Sequence, residues 1–138
     1  MEPRESNRER KHLAVGGPAA IRDAIAAARE FASEAGIPQP DAAKLAIIVE
    51  ELVTNLYDHG GLSDNDAVEI ELSARPDAIS LLLTAPGTPF HPGQLQADVE
   101  IPERGGGAGL KLVQAWSLRI DQEYIDGRNR WLVVLPVG

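Results

Sequence analysis

Residues Asp41 to Gly61, DAAKLAIIVEELVTNLYDHGG, decide how the rest of the chain is read. Leu45, Ile48, Val49, Leu52, Val53 and Leu56 recur at intervals of three and four, which predicts a helix with one apolar stripe against a core. Pro38 and Pro40 break the chain ahead of it, Asp41 offers an N-cap, and His59-Gly60-Gly61 closes it. Immediately afterwards the period changes. Val68, Ile70 and Leu72 alternate with Glu69, Glu71 and Ser73, the pattern of a half-buried strand.

Working outward, Pro76-Asp77 supplies a turn and Ile79 to Thr84 is a near-continuous apolar run, so two strands joined by a four- or five-residue link form an antiparallel pair. Toward the N-terminus, Ile21, Ile25, Ala28 and Ala32 predict a helix from Pro18 to about Ala35, with Gly36 as its C-cap signal. His12 to Val15 reads as a short strand, and residues 1–9 as a flexible charged tail. Toward the C-terminus, Leu110, Leu112, Val113 and Trp116 fit a short helix. Leu118 to Ile125, a turn at Asp126-Gly127, and Trp131 to Val137 make a second hairpin. The order β-α-α-β-β-loop-α-β-β predicts an α+β fold, a two-layer sandwich in which helices cover one face of a mostly antiparallel sheet. Residues 10–138 are then one domain.

Composition narrows the chemistry. The 138 residues carry 13 Lys and Arg against 21 Asp and Glu, a formal charge of −8. A body this acidic repels a phosphate backbone, so nucleic acid is not expected as a direct partner. Any bound phosphate has to be held by a local backbone device. The absence of cysteine removes disulfides, thiolate nucleophiles and thiolate metal sites. There is no apolar run of membrane-spanning length and no apolar stretch behind the polar N-terminus, so neither a membrane nor secretion is expected and the expected location is the cytoplasm. The three histidines, His12, His59 and His91, lack paired ligand spacing for zinc. Trp116 and Trp131 are expected in the core.

Three short features carry possible chemistry. Glu51, Asn55 and His59 are spaced four apart and share one helix face, where a carboxylate can activate a hydroxyl and an amide oxygen can hold a hard cation. Taken alone, this pattern is more often a solvated face. Gly105-Gly106-Gly107-Ala108-Gly109-Leu110 opens a helix, so its backbone N–H groups and the helix N-terminus suit an anion. It is neither a Walker motif nor a Rossmann fingerprint, and a glycine run by itself more often marks permissive backbone. Ala85-Pro86-Gly87-Thr88-Pro89-Phe90-His91-Pro92 leaves a strand through a turn, which alone reads as a proline-rich strand exit.

In this order the three features resemble the GHKL (Bergerat-fold) ATPases, and among them the stand-alone domains similar to bacterial anti-sigma-factor serine/threonine kinases. Glu51-Leu52-Val53-Thr54-Asn55-Leu56-Tyr57-Asp58-His59 looks like their N-box. Gly87-Thr88-Pro89-Phe90 looks like the tail of the D-x-G-x-P-F box, and Gly105 to Leu110 like the G-x-G-x-G-L box. The resemblance spans roughly residues 10–137. It implies ATP and Mg²⁺ as ligands, Glu51 as general base, and Asn55 as the Mg²⁺ ligand. Ala85 and Gly87 would lie at the nucleotide, and Gly105, Gly107, Gly109 and Leu110 would wrap the triphosphate under a lid of about residues 91–104. It also implies a sigma factor and an antagonist (anti-anti-sigma) protein as partners, with a homodimer left open.

One position departs from the pattern. The family places an aspartate two residues before the glycine of the middle box, where it accepts a hydrogen bond from the adenine amine; this chain has Ala85. An unpaired amine in a buried site costs on the order of 1–3 kcal/mol, or about ten- to a hundredfold in affinity. A nucleotide-free docking module of the same fold is therefore the alternative reading. His91 likewise stands where relatives carry aspartate.

Overall fold

A computed structural model describes residues 9–89 and 106–138. Its elements are β1 (Glu9–Gly16), α1 (Ala20–Glu34), α2 (Gln39–His59), β2 (Ala67–Arg75), β3 (Ala78–Pro86), α3 (Gly106–Trp116), β4 (Arg119–Ile125) and β5 (Arg128–Pro136). Among the described residues the five strands form one sheet in the order β1-β2-β3-β5-β4, with every neighbouring pair antiparallel. The expected α+β layering holds. Most of the expected tail and the expected lid lie outside the described residues, as do Phe90, His91 and Gly105.

Period-two alternation assigns the two faces of the sheet. Val68, Ile70, Leu72 and Ala74 of β2, Ile79, Leu81, Leu83 and Ala85 of β3, and Trp131, Val133 and Leu135 of β5 are buried on one side. There they meet Leu45, Ile48, Val49, Leu52, Val53 and Leu56 of α2, the stripe legible in the sequence, together with Phe31 and the small residues of α1. Trp131 is in the core as expected. Trp116 is only half-buried, with the Lys44 ammonium 5.6 Å from its ring centroid, a cation–π contact joining α2 to α3.

Several element ends differ from the sequence reading, each for a local reason. β1 runs the full length of β2, from Glu9↔Ala74 to Gly16↔Ala67, because pairing satisfies its backbone groups well beyond the apolar residues. The β2–β3 link is Pro76-Asp77 alone, since Arg75 and Ala78 still pair. α2 begins at Gln39 with Pro38 as N-cap, so Asp41 is not the cap. Proline tolerates the first helical turn because the donor it lacks has no intrahelical partner there. The Asp41 carboxylate instead accepts a 3.1 Å hydrogen bond from the Gly138 N–H. α1 ends as anticipated on Gly36, at φ +70°, with Ile37 N–H donating to Ala32 O and Gly36 N–H to Ser33 O, a Schellman closure. Asp126 and Gly127 both have positive φ, the type I′ geometry that matches hairpin twist, and they join β4 to β5.

Candidate functional site

α2 carries Glu51 and Asn55 one turn apart. Asn55 is buried, at 7% exposure, although asparagine is a poor interior helix residue. Its Nδ2 donates a 2.8 Å hydrogen bond to the Glu51 backbone carbonyl. The amide is thereby fixed through its nitrogen, and its oxygen is the atom left to meet a cation or a water. Glu51 is half-buried, and its carboxyl is pushed above the ordinary glutamate value, first by burial and then by the neighbouring Glu50 charge. A raised carboxyl is better matched to taking a proton near neutrality than an ordinary glutamate. Of the His59 side chain nothing is described.

The C-terminal end of α2 is joined to the exit of β3. Thr88 N–H donates to Gly60 O at 2.8 Å. Gly87 has φ +143°, and a Cβ there would collide with the Gly60 carbonyl oxygen, so both the backbone angle and the close approach require glycine. Gly61, at φ +74°, is held under Thr88 in the same way, because an added Cβ would lie 2.8 Å from the Thr88 hydroxyl. The Glu51–Asn55 helix and the Gly87 turn are thus parts of one joint.

The sheet fixes that joint from the other side through residues that the sequence reading did not single out. Asn129 is fully buried; its Nδ2 donates to Thr88 O at 2.7 Å and its Oδ1 accepts from Gln122 Nε2 at 3.0 Å. The Tyr124 hydroxyl donates to Gly87 O at 2.8 Å. Among the described residues Asn55 and Asn129 are the two buried polar side chains, and both border this joint. A signal for Asn129 existed: Asn129, Trp131, Val133 and Leu135 alternate on one face, which puts an amide in an apolar row.

Ala85 is fully buried and pairs directly with Asn129 across β3 and β5, so both point to the helix-covered face. The side chain at 85 offers no acceptor, and the polar group beside it is the Asn129 amide. Gly107, Gly109 and Leu110 belong to the first turns of α3, which opens at Gly106 inside the glycine run and packs against α2. The side chain of Leu110 lies outside the described residues. No cluster of three or more His, Asp or Glu capable of holding a metal occurs among the described residues. A Mg²⁺ ion suits such a place only where Asn55 supplies one oxygen and phosphates and waters the rest, which is how Mg²⁺ commonly binds. Among the described residues no helix is long and apolar enough to cross a membrane.

The chain matches the histidine kinase-like ATPase domain family over residues 16–134. No curated protein matches it in sequence. Solved structures share its fold. The RsbU and RsbW domains of Rv1364c from Mycobacterium tuberculosis superpose with a TM-score of 0.66 at 17% identity, covering 94% of this chain and 32% of that one. The chain therefore spans about a third of the length of that structure. The SiaB–SiaC complex from Pseudomonas aeruginosa gives 0.58 at 15% identity, with 90% and 89% covered. The catalytic domain of histidine kinase ThkA gives 0.55 at 13%, with 91% and 97% covered.

Proposed function

The chain belongs to the histidine kinase-like ATPase domain family, and on that premise we propose that it binds ATP with Mg²⁺ and works as an anti-sigma-factor serine/threonine kinase. Its partners would be a sigma factor and an antagonist (anti-anti-sigma) protein, a serine of which receives the γ-phosphate. Residues 10–138 would form the ATPase domain behind a short tail, in the cytoplasm.

The observation that carries this reading is Asn55, a buried amide committed through its nitrogen to Glu51 O and presenting its oxygen. Glu51, on the same face with its carboxyl raised, takes the proton of the serine hydroxyl. Asn55 would hold Mg²⁺, which supplies charge neutralisation for the transferring phosphoryl group when bound. Gly87 keeps the strand exit close to α2, where a side chain would force it away. Gly105, Gly107, Gly109 and Leu110 would receive the phosphates at the N-terminal end of α3, where free N–H groups favour an anion. That one fold neighbour comes from a two-protein complex and another carries RsbU and RsbW domains supports a role exercised through protein partners.

A second reading rests on one observation. Ala85 is fully buried and lacks the family's carboxylate, which favours a nucleotide-free docking module of the same fold. Calorimetric titration with ATP and Mg²⁺ separates the two. Saturable binding that is lost in Asn55→Ala is the expected result; no binding by the wild-type protein, with the fold intact, replaces the kinase with the docking module.

A further inference from the structure

The sheet has two edges, and they are made differently. β1 carries Glu9, Arg10 and Lys11 in its N-terminal half, charges of the kind that keep other strands from adding to an edge. β4, at the other edge, mixes charge with exposed apolar surface. Of the five large apolar side chains exposed among the described residues, Tyr124 and Ile125 lie on β4 and Leu118 leads into it. A groove of about 280 Å³ between α3 and this edge is lined by Val113, Ser117, Leu118, Ile120 and Trp131.

The hairpin fixes which backbone groups of β4 point outward. In a two-residue type I′ turn the closing pair, here Ile125 and Arg128, is a hydrogen-bonded one. Hydrogen-bonded and free pairs alternate along an antiparallel ladder, so Arg119, Asp121 and Glu123 also turn their backbone groups to β5. Ile120, Gln122 and Tyr124 turn theirs outward, and among the described residues no strand takes them. The side chains of these three face the helix-covered side, beside Val133, Trp131 and Asn129, whereas those of Arg119, Asp121 and Glu123 face the other side. A strand laid along β4 would therefore meet a mostly apolar row on one side. On the other it would meet one basic and two acidic residues in that order.

We propose that β4 receives an extended segment of a partner protein as a sixth, antiparallel strand, with apolar residues over Ile120 and the groove and basic residues opposite Asp121 and Glu123. In strand addition the main-chain hydrogen bonds supply affinity and the alternate side chains supply specificity, and opposite charges facing across an antiparallel pair add to it. Existing ion pairs do not oppose this. Arg119 engages one Asp121 oxygen at 2.5 Å and Arg130 one Glu123 oxygen at 3.9 Å, and these side chains are about half exposed, so the pairs rearrange at little cost. A second copy of β4 fits less well. Pairing the whole strand with itself, centred on Gln122, sets Asp121 opposite Glu123 twice. The register centred on Ile120 avoids this but leaves Tyr124 and Ile125 uncovered. Gln122 and Tyr124 also hold Asn129 and Gly87 through their side chains, so the strand that would be extended is the one that steadies the candidate site. The proposal stands whether or not ATP binds.

Fluorescence anisotropy on the full chain without nucleotide tests it, with the labelled, end-blocked peptide Thr-Val-Lys-Val-Lys-Val-Glu-Val as the probe. Saturable binding is expected. Methylating the backbone nitrogens of its second and third valines, which would face Gln122 and Ile120, is expected to weaken binding at least about tenfold, and methylating those of its two lysines, which would face solvent, to change it less than about twofold. Glu123→Lys is expected to weaken binding about threefold or more, and a peptide with Glu in place of its first lysine to recover the affinity on that variant. Far-UV circular dichroism checks that the variant is folded. No saturable binding by the wild-type chain overturns the proposal, as does equal loss from both kinds of methylation. Indifference of both peptides to Glu123→Lys overturns it too. A wild-type dimer in sedimentation equilibrium that the peptide must displace also overturns it, and assigns the edge to a second copy of this chain.

Discussion

The two ends of the candidate site are built differently. At one end Glu51 and Asn55 stand on a single helix, and their hydrogen bond links residues four apart, within reach of α2 by itself. At the other end Ala85 comes from β3, Asn129 from β5, and Gln122 and Tyr124 from β4. The hydrogen bonds that position Gly87 and Thr88 there span 37 and 41 residues. The first end offers a carboxylate and an amide oxygen, groups suited to moving a proton and holding a cation. The second offers a buried methyl group beside an amide. The chemical end is local, and the end where the family resemblance puts base recognition is non-local, an uncharged set of amides and a hydroxyl around the Ala85 methyl.

The largest expected effect breaks the chemical end alone. Glu51→Ala is expected to abolish phosphoserine formation in the antagonist with ATP and Mg²⁺. Affinity for the sigma factor should stay within about 1 kcal/mol, as for a substitution outside an interface. Phosphate transfer persisting at the wild-type rate would remove Glu51 as the base. Loss of sigma binding would mean that the cleft and the docking surface are one.

Next comes the joint between the ends. Gly87→Ala puts a Cβ against the Gly60 carbonyl at a φ that alanine rarely adopts, so a loss on the order of 3 kcal/mol in urea unfolding is expected. Unchanged stability would show that the Gly60–Thr88 bond is not what ties α2 to β3.

At the recognition end, Ala85→Asp restores the family's acceptor and is expected to tighten ATP binding about ten- to a hundredfold. Because position 85 is fully buried, the same change should lower the melting temperature without nucleotide and raise the shift that ATP produces. Unaltered or weaker affinity would mean that another group, the Asn129 amide foremost, already reads the base.

The smallest effect tunes the chemical end. The Glu51 carboxyl is raised first by burial and second by Glu50, so it holds its proton to higher pH than a free glutamate. A general base acts only when deprotonated, and activity therefore falls as pH drops through that raised value. Glu50→Gln removes the lesser cause and should move the acid limb of the pH–rate profile slightly downward. An upward move would reverse the assigned sign.

What could be read from the chain follows the same division. The α2 stripe, the alternation of β2 and the Asp126-Gly127 turn are local patterns, and the elements formed where they pointed. Glu51 and Asn55 could be paired from their spacing because a helix fixes which residues are neighbours. The Asp41 cap failed because Pro38 could open the helix earlier, while the Asp41 carboxylate found the Gly138 N–H, 97 residues away.

By itself, then, the sequence determined the elements, the faces they bury, the order of the three short features and the missing acid at 85. Tertiary structure alone decided that β5 inserts between β3 and β4 and that Asn129 stands opposite Ala85. It also decided that Gly87 must be glycine because Gly60 lies against it. The reason is physical: helix and strand periods are set by backbone geometry within a few residues. The partner of a strand or of a buried amide is chosen by the whole core at once, against a loop-closure entropy that changes only slowly with the length of chain between them.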